Sequence, residues 1–246
     1  MSGHSKWATI KHAKGAADAK RGQMFTKLIK EISIAARMGG GIPDANPKLR
    51  TAILKARAAN MPKDNIERAI KKGTGELEGV SYEELTYEAY ASGGVALLIE
   101  VLTDNKNRAA ADVRNLLTKA GGQLATAGAV TRLFKRQGII TLDGEKYTED
   151  QVMEAAIEGG ADDVSLSDGI IEVTTAPEDF EAVVNALNDK SFETMSAEIS
   201  MVADSDVTLD NEGTAKALKL IDKLEENDDV QNVYSNINVP EGFEAE

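Results

Sequence analysis

Apolar residues recur at helical spacing through the first third of the chain, which predicts three short amphipathic helices. The apolar stripes are Phe25, Leu28, Ile29, Ile32 and Ala36, then Leu49, Ala52, Ile53 and Ala56, then Ile66, Ala69 and Ile70. These positions lie three or four residues apart, so each set covers one face of a helix. Gly39-Gly40-Gly41 and Asn60-Met61-Pro62 separate the helices, and Gly73 is expected to end the third.

The pattern changes beyond Gly79 to short alternating runs between helical stretches. Residues 82–91 and 95–102 are predicted strands joined by a turn at Ser92-Gly93-Gly94, and a helix is expected over 105–120. This segment alone is an incomplete α/β unit.

Residues 136–202 predict the element order βαββαβ, which is the ferredoxin-like signature. Thr148 with Gln151 three residues later predicts a capping box at the first helix, and Ser167-Asp168-Gly169 predicts a hairpin turn. The last strand is predicted from the alternation of Met195, Ala197, Ile199 and Met201.

Residues 208–238 then predict a strand, a helix and a strand, which can complete the unit begun at 82–120. The expected fold class is therefore α+β, with an N-terminal three-helix domain and two ferredoxin-like α/β domains, one inserted in the other. The predicted divisions are a basic arm over 1–21, a three-helix domain over 22–75, a discontinuous α/β domain over 80–130 plus 205–240, and an inserted ferredoxin-like domain over 131–204.

Charge is distributed very unevenly along the chain. Residues 1–75 hold 16 Lys or Arg and five Asp or Glu, a net charge of +11, whereas the whole chain has a net charge of −13. The remaining residues therefore carry −24. A dense basic segment is typical of proteins that bind the phosphate backbone of nucleic acids, although a solvated helical surface is the alternative.

The basic segment supplies the candidate binding residues. Trp7, the only Trp, lies between Lys6 and Lys11 in an arm without an apolar stripe. An aromatic ring among cations suits stacking on RNA bases, but the ring could equally anchor the arm to a core. In the second helix, Lys48 and Lys55 lie on one flank and Arg50 and Arg57 on the other. The candidate nucleic-acid contacts are Lys6, Trp7, Lys11, Lys14, Lys20, Arg21, Arg37, Lys48, Arg50, Lys55, Arg57, Arg68, Lys71 and Lys72.

Enzymatic and metal-dependent activities have little support in the sequence. The chain has no Cys, which excludes thiolate zinc sites and Cys nucleophiles and fits a cytoplasmic location. The acidic runs Asp162-Asp163 and 225–229 could hold Mg²⁺, but they are expected to be solvated surface. We therefore expect no catalytic residues, no metal and no cofactor. No signal peptide or membrane-spanning run is present, so no membrane partner is expected.

Several motifs in the first 75 residues resemble the YebC/PmpR family. They are Gly3-His4-Ser5-Lys6-Trp7, Ala35-Ala36-Arg37 through Gly39-Gly40-Gly41, and Asn60-Met61-Pro62-Lys63-Asp64-Asn65-Ile66 through Lys72-Gly73. The resemblance implies an α-helical domain followed by two α/β domains, and neither an enzymatic activity nor a cofactor. Bacterial members are described as DNA-binding transcriptional regulators and are also linked to ribosomes, and the mitochondrial member looks like a translational activator.

Three functions stay open at this stage. The first is a DNA-binding transcriptional regulator, which the family description favours. The second is a ribosome- or RNA-associated translation factor, because the predicted helices carry few side chains suited to reading base edges. The third is a protein-interaction module in which the acidic α/β domains form a docking surface and the basic segment binds them within the same molecule.

Overall fold

The computed structural model describes residues 18–240 and 243, and for residues 18–21 it describes only the backbone. The predicted arm contacts Lys6, Trp7, Lys11 and Lys14 lie outside the described residues. For Lys20 and Arg21 only their position in a helix is described. None of the helices in the described ranges is long and apolar enough to cross a membrane.

The N-terminal part consists of three packed helices, α1 (Asp18–Gly39), α2 (Pro47–Ala58) and α3 (Lys63–Thr74), with a short 3-10 turn at Pro43–Ala45. All three predicted apolar stripes meet in one core, with Ile32 and Leu49 fully buried. Asn46 caps α2 by accepting a hydrogen bond from the backbone N–H of Leu49 at 3.1 Å. The predicted breaks between the helices are confirmed.

Two helix boundaries differ from the prediction. Residues 18–21, expected in the arm, belong to α1. Gly73 does not end α3, which continues to Thr74 and is closed by Gly75 in the left-handed conformation at φ 82°. Gly73 is needed inside the helix instead, because a Cβ there would collide with the carbonyl oxygen of Ser33 and lie 2.8 Å from the Cβ of Ala36. Glycine thus permits the close approach of α1 and α3.

The first antiparallel sheet has the strand order β3-β1-β2-β9. Its strands are β1 (Glu83–Tyr90), β2 (Ala96–Thr103), β3 (Gln123–Leu124) and β9 (Val230–Ser235). Helices α4 (Lys106–Lys119) and α7 (Asn211–Glu225) cover one face of this sheet and share its core. The expectation that a strand, a helix and a strand from 208–238 complete the unit begun at 82–120 is met in part. The helix α7 and the second strand, β9, join this sheet, whereas the predicted first strand does not and the fourth strand is β3.

The second antiparallel sheet has the strand order β5-β6-β4-β7. Its elements are β4 (Phe134–Asp143), α5 (Glu149–Glu158), β5 (Asp163–Ser167), β6 (Ile170–Thr175), α6 (Phe180–Asp189) and β7 (Thr194–Ala203). Along the chain they follow the predicted order βαββαβ. Thr148 begins α5 with the predicted capping box, and Asp168 and Gly169, both at positive φ, form the predicted hairpin turn.

Short strands β8 (Val207–Thr208) and β10 (Ile237–Asn238) pair in parallel outside both main sheets. The two main sheets are joined through a small apolar cluster that includes Ala96, Leu98, Val130 and Phe134. The carboxylate of Glu88 fixes the connecting loop by accepting backbone hydrogen bonds from Gly128, Val130 and Thr131. The structure is thus α+β, with a helical N-terminal part and two antiparallel sheets.

Candidate nucleic-acid interface

One flank of α2 is occupied by ion pairs within the molecule. Lys48 pairs with Glu84 of β1 at 2.9 Å, and Lys55 pairs with Glu31 of α1 at 3.1 Å. Both lysines are more than half exposed, so the pairs are of the weak surface kind. A phosphate approaching this flank would have to compete with a carboxylate at each lysine.

The opposite flank of α2 presents Arg50 and Arg57, which are both exposed. Within the described residues, neither guanidinium has a hydrogen-bond or ion-pair partner. Leu54 lies between them on the same helical face and is 59% exposed. This side of α2 therefore offers two unneutralised charges with an apolar residue between them.

Helix α3 adds Arg68, Lys71 and Lys72, which are also exposed and have no acidic partner within the described residues. Arg68 and Lys71 line a shallow groove with Asp64, Glu67 and Leu77. A neighbouring groove between α2 and α3 shares Glu67 and has an apolar floor. That second groove is lined by Pro43, Ile53, Arg57, Met61, Lys63, Ile66, Glu67 and Ile70.

The predicted contact Arg37 belongs to the last turn of α1, and its guanidinium donates a hydrogen bond to the hydroxyl of Ser81. It therefore ties the helices to the segment that leads into β1. Of the predicted residues whose side chains are described, the structure brings Arg57, Arg68 and Lys71 to adjoining grooves. Lys48 and Lys55 lie on a different flank and are paired.

The sequence analysis missed a charge cluster that joins the helical part to the first sheet. The ammonium group of Lys30 lies 2.7 Å from the carboxylate of Asp229, and the two side chains are 9% and 5% exposed. Lys30 also donates hydrogen bonds to the carbonyl oxygens of Asp228 and Leu102 at 2.9 and 3.3 Å. Arg108 of α4 binds the other oxygen of Asp229 at 2.8 Å.

Two further side chains of α1 bind the C-terminal end of α7. Lys27 donates a hydrogen bond to the carbonyl oxygen of Glu225 at 2.7 Å, and Gln23 donates one to that of Glu226. Carbonyl groups at a helix C-terminus lack partners within the helix and carry partial negative charge. Side chains of the basic helix α1 thus supply hydrogen-bond donors to carbonyl groups at the C-terminal end of α7.

This cluster corrects the interpretation of residues 225–229 as solvated surface, because Asp229 is buried. Burial alone would raise the pKa of Asp229, but hydrogen bonds from Lys30 and Arg108 outweigh it and leave that pKa below its ordinary value. The sequence held a signal that α1 is buried beyond its predicted apolar stripe. Ile34 lies off that stripe, yet it is buried, as are Lys30 and Ser33.

The described residues contain no group of three or more His, Asp or Glu side chains placed to hold a metal ion. Asp162 and Asp163, the other acidic pair noted in the sequence, are not buried. Neither acidic run therefore gathers a ligand set within the described part of the chain.

Two family models together match most of the chain. The model described as the TACO1/YebC protein N-terminal domain matches residues 5–76, and the TACO1/YebC second and third domain model matches residues 82–237. The boundary between them falls in the segment between α3 and β1.

Similar proteins cover nearly the full length. A probable transcriptional regulatory protein of Treponema denticola is 68% identical over 244 residues, covering 99% of each chain. A protein of the same name from Syntrophobacter fumaroxidans is 55% identical, covering 98% of this chain and 97% of its own.

A solved structure agrees with the fold. The crystal structure of a conserved hypothetical protein, Aq1575 from Aquifex aeolicus, has a TM-score of 0.80 and 46% identity, covering 91% of this chain and 93% of that one. The family's named members are regulatory proteins and not enzymes, which agrees with the prediction made from the sequence. The matching models and these identities show that the chain belongs to the TACO1/YebC family.

Proposed function

We propose that this protein is a cytoplasmic, nucleic-acid-binding regulator of gene expression that contacts the phosphate backbone through α2 and α3. The observation that carries the proposal is the set of exposed cations without acidic partners on these two helices. They are Arg50, Arg57, Arg68, Lys71 and Lys72. The names of the relatives support regulation of transcription as the setting. Two ferredoxin-like units, one inserted in the other, form the acidic body that carries the helices.

The acidic body limits how nucleic acid can approach. Residues 76–246 carry −24, so a polyanion lying along them would be repelled. Lys27, Lys30, Arg37 and Lys48 already bind groups outside the three helices. Contact is therefore expected on the outward side of α2 and α3.

The matched test lies within α2 itself. Arg50→Ala/Arg57→Ala removes two unpaired cations, and Lys48→Ala/Lys55→Ala removes two paired ones at the same spacing on the same helix. Fluorescence anisotropy of full-length protein with labelled duplex DNA should show a clear loss of affinity for the first variant and a smaller loss for the second. Equal losses would indicate that affinity follows total charge and not this flank.

The salt dependence of the affinity measures how many phosphates the protein contacts. If about four phosphates are bound, affinity for a duplex should fall roughly a hundredfold between about 50 and 200 mM salt. The slope should be shallower in Arg50→Ala/Arg57→Ala and nearly unchanged in Lys48→Ala/Lys55→Ala. An unchanged slope in both variants would exclude α2 from the interface.

RNA is the alternative polymer, since the composition of α2 gives little support to sequence-specific DNA reading. The helix contains no Asn or Gln, and its exposed flank offers only arginines, Thr51 and Leu54. Such a surface suits backbone contact more than base-edge recognition. Crosslinking in cells, with both RNA and DNA sequenced, decides between a transcriptional regulator and a ribosome- or RNA-associated translation factor. If Trp7 stacks on an RNA base, Trp7→Ala should lower RNA affinity by about 1–3 kcal/mol.

The contacts between α1 and the first sheet favour a third candidate, in which the basic helices serve to dock on the acidic domains and the body recruits a protein. Under this alternative, Lys30→Met would release the helices, and nucleic-acid binding would rise as more cations became accessible. A decrease or no change after Lys30→Met would contradict it.

A further inference from the structure

Strand β7 forms one edge of the second sheet, and its outer side is open over half its length. It pairs with β4 in regular register from Ala203 to Ser196, and the pairing is disturbed only near Thr194. On its other side no strand among the described residues pairs with it. With 10 residues it is far longer than the edge strands β3 and β5, which have two and five.

The open half of β7 carries exposed apolar side chains at alternate positions. Met195 and Ile199 are 49% and 37% exposed, and Ala197 between them is also exposed. Ala197 and Ile199 share one face, because alternate residues of a regularly paired strand do. Met195 lies at a β-bulge, where the register with β4 shifts, and extends this exposed apolar surface. Further along the same face, Met201 and Ala203 pack against the apolar cluster that joins the two sheets. This surface is thus open only between residues 195 and 199.

This edge has few of the features that usually prevent strand addition. It contains no Pro, Glu198 is its only charged residue, and its one irregularity is the β-bulge at Met195 opposite Leu142. By comparison, β5 at the opposite edge is short and begins with Asp163. The free main-chain groups of β7 can therefore accept another strand, which is a recurrent way of binding extended peptides.

We propose that residues 195–199 of β7 bind an extended, basic segment of a partner protein, which adds to the second sheet as a fifth strand. Residues 131–204 hold five Lys or Arg and 17 Asp or Glu, a net charge of −12. Two copies of this domain would repel each other, whereas a cationic segment would be attracted. The charge therefore selects a basic segment over the same β7 edge of a second copy.

The alternation of β7 also defines the sequence pattern of the partner. A strand paired with β7 places every second side chain beside Met195, Ala197 and Ile199, and the others beside Ser196 and Glu198. Glu198 is exposed, so a lysine of the added strand can pair with its carboxylate. A segment that alternates Lys with Ile or Val matches both faces.

The test uses the full chain and two synthetic peptides. The probe is a fluorescently labelled peptide in which Lys alternates with Ile and Val, and its control has the same lysines with Pro at alternate apolar positions. Anisotropy should show binding of the first peptide, and hydrogen exchange should show increased protection of the amides in residues 195–199. Equal binding of both peptides would overturn the proposal, because it would show charge attraction without strand pairing.

Two variants on opposite edges of the sheet locate the site. Ile199→Lys should weaken binding of the alternating peptide by about tenfold, whereas Leu166→Lys on β5, which replaces a somewhat more exposed apolar residue (46% against 37%), should leave it unchanged. Glu198→Gln, which removes the charge of Glu198, should weaken binding mainly at low salt. Unfolding curves confirm that each variant is folded.

Equal effects of Ile199→Lys and Leu166→Lys would exclude β7 as the site. Self-association of the wild-type chain that Ile199→Lys abolishes would instead assign the edge to a second copy and overturn the choice of a basic partner.

Discussion

Replacing Lys30 by Met tests whether the buried charge cluster holds the helical part against the first sheet. The substitution keeps the apolar stem and removes the ammonium group, which now contacts Asp229 and the carbonyl oxygens of Asp228 and Leu102. All these acceptors would lose a donor in a site closed to water. Leaving one member of a buried pair uncompensated costs about 3–5 kcal/mol.

Arg108 lowers the expected cost. Its guanidinium remains 2.8 Å from the second oxygen of Asp229, so the carboxylate keeps a cationic partner in the variant. We therefore expect Lys30→Met to reduce the free energy of unfolding by about 2–3 kcal/mol. Urea denaturation followed by circular dichroism measures this value, and hydrogen exchange should show α1 losing protection first.

The matched control is Lys48→Met, which breaks another ion pair between the helices and the first sheet. Lys48 is 56% exposed, and its pair with Glu84 is expected to contribute less than about 1 kcal/mol. If Lys30→Met and Lys48→Met had the same small effect, burial would not strengthen the Lys30 cluster and the reasoning would fail.

The contact between the helical part and the first sheet should also weaken in acid. The pKa of Asp229 is lower in the folded protein than its ordinary value, so its contribution to stability is complete above the unfolded-state pKa of about 4. That contribution is lost as the pH falls through the lower, folded-state pKa. In Asp229→Asn this part of the acid dependence should disappear, and a full remaining dependence would contradict the assignment.

Three further substitutions test local features. Gly73→Ala should destabilise the helical part by about 1–3 kcal/mol because of the collision with the Ser33 carbonyl oxygen, whereas Gly22→Ala, with open space around it, should be neutral or stabilising in thermal unfolding. Burial alone would raise the pKa of Glu88, but its hydrogen bonds together outweigh burial and hold that pKa below its ordinary value. Glu88→Gln should therefore lower stability near neutral pH and flatten the decline of stability in acid. Thr148→Ala should cost about 1 kcal/mol by removing the capping box of α5, and an unchanged unfolding midpoint would show that the cap is dispensable.

Features set by local sequence were predictable. The apolar stripes identified the helical core, and the capping pattern at Thr148 and the Asp168-Gly169 turn fixed an element boundary and a hairpin. Helical periodicity and turn conformation depend on residues that are close together in the sequence, so a local pattern is enough to predict them. The alternation in β7 likewise identified a strand.

Features set by distant residues were not predictable in the same way. Lys30 and Asp229 lie 199 positions apart, and no local pattern shows that they meet. Lys48 and Lys55 look like Arg50 and Arg57 in the sequence, yet only the lysines have carboxylates beside them in the fold. Gly73 resembled a helix terminator, because the close approach of α1 that requires it is a tertiary contact. Charge density therefore predicted the basic region and not which of its cations face outward.

The two roles of the basic segment follow from where each cation lies on its helix. On α1, Lys27 and Lys30 face the first sheet and the end of α7, where carbonyl oxygens and a buried carboxylate bind them. On the outward flank of α2, Arg50 and Arg57 have no such groups within reach among residues 18–240 and 243. A buried pair is little screened by salt, whereas exposed charges respond strongly to it. The contacts that orient the helices on the body should thus persist under salt conditions that release a polyanion from α2 and α3. Attachment of the helical part and its proposed binding of nucleic acid are therefore separable, although both depend on positive charge in the same 75 residues.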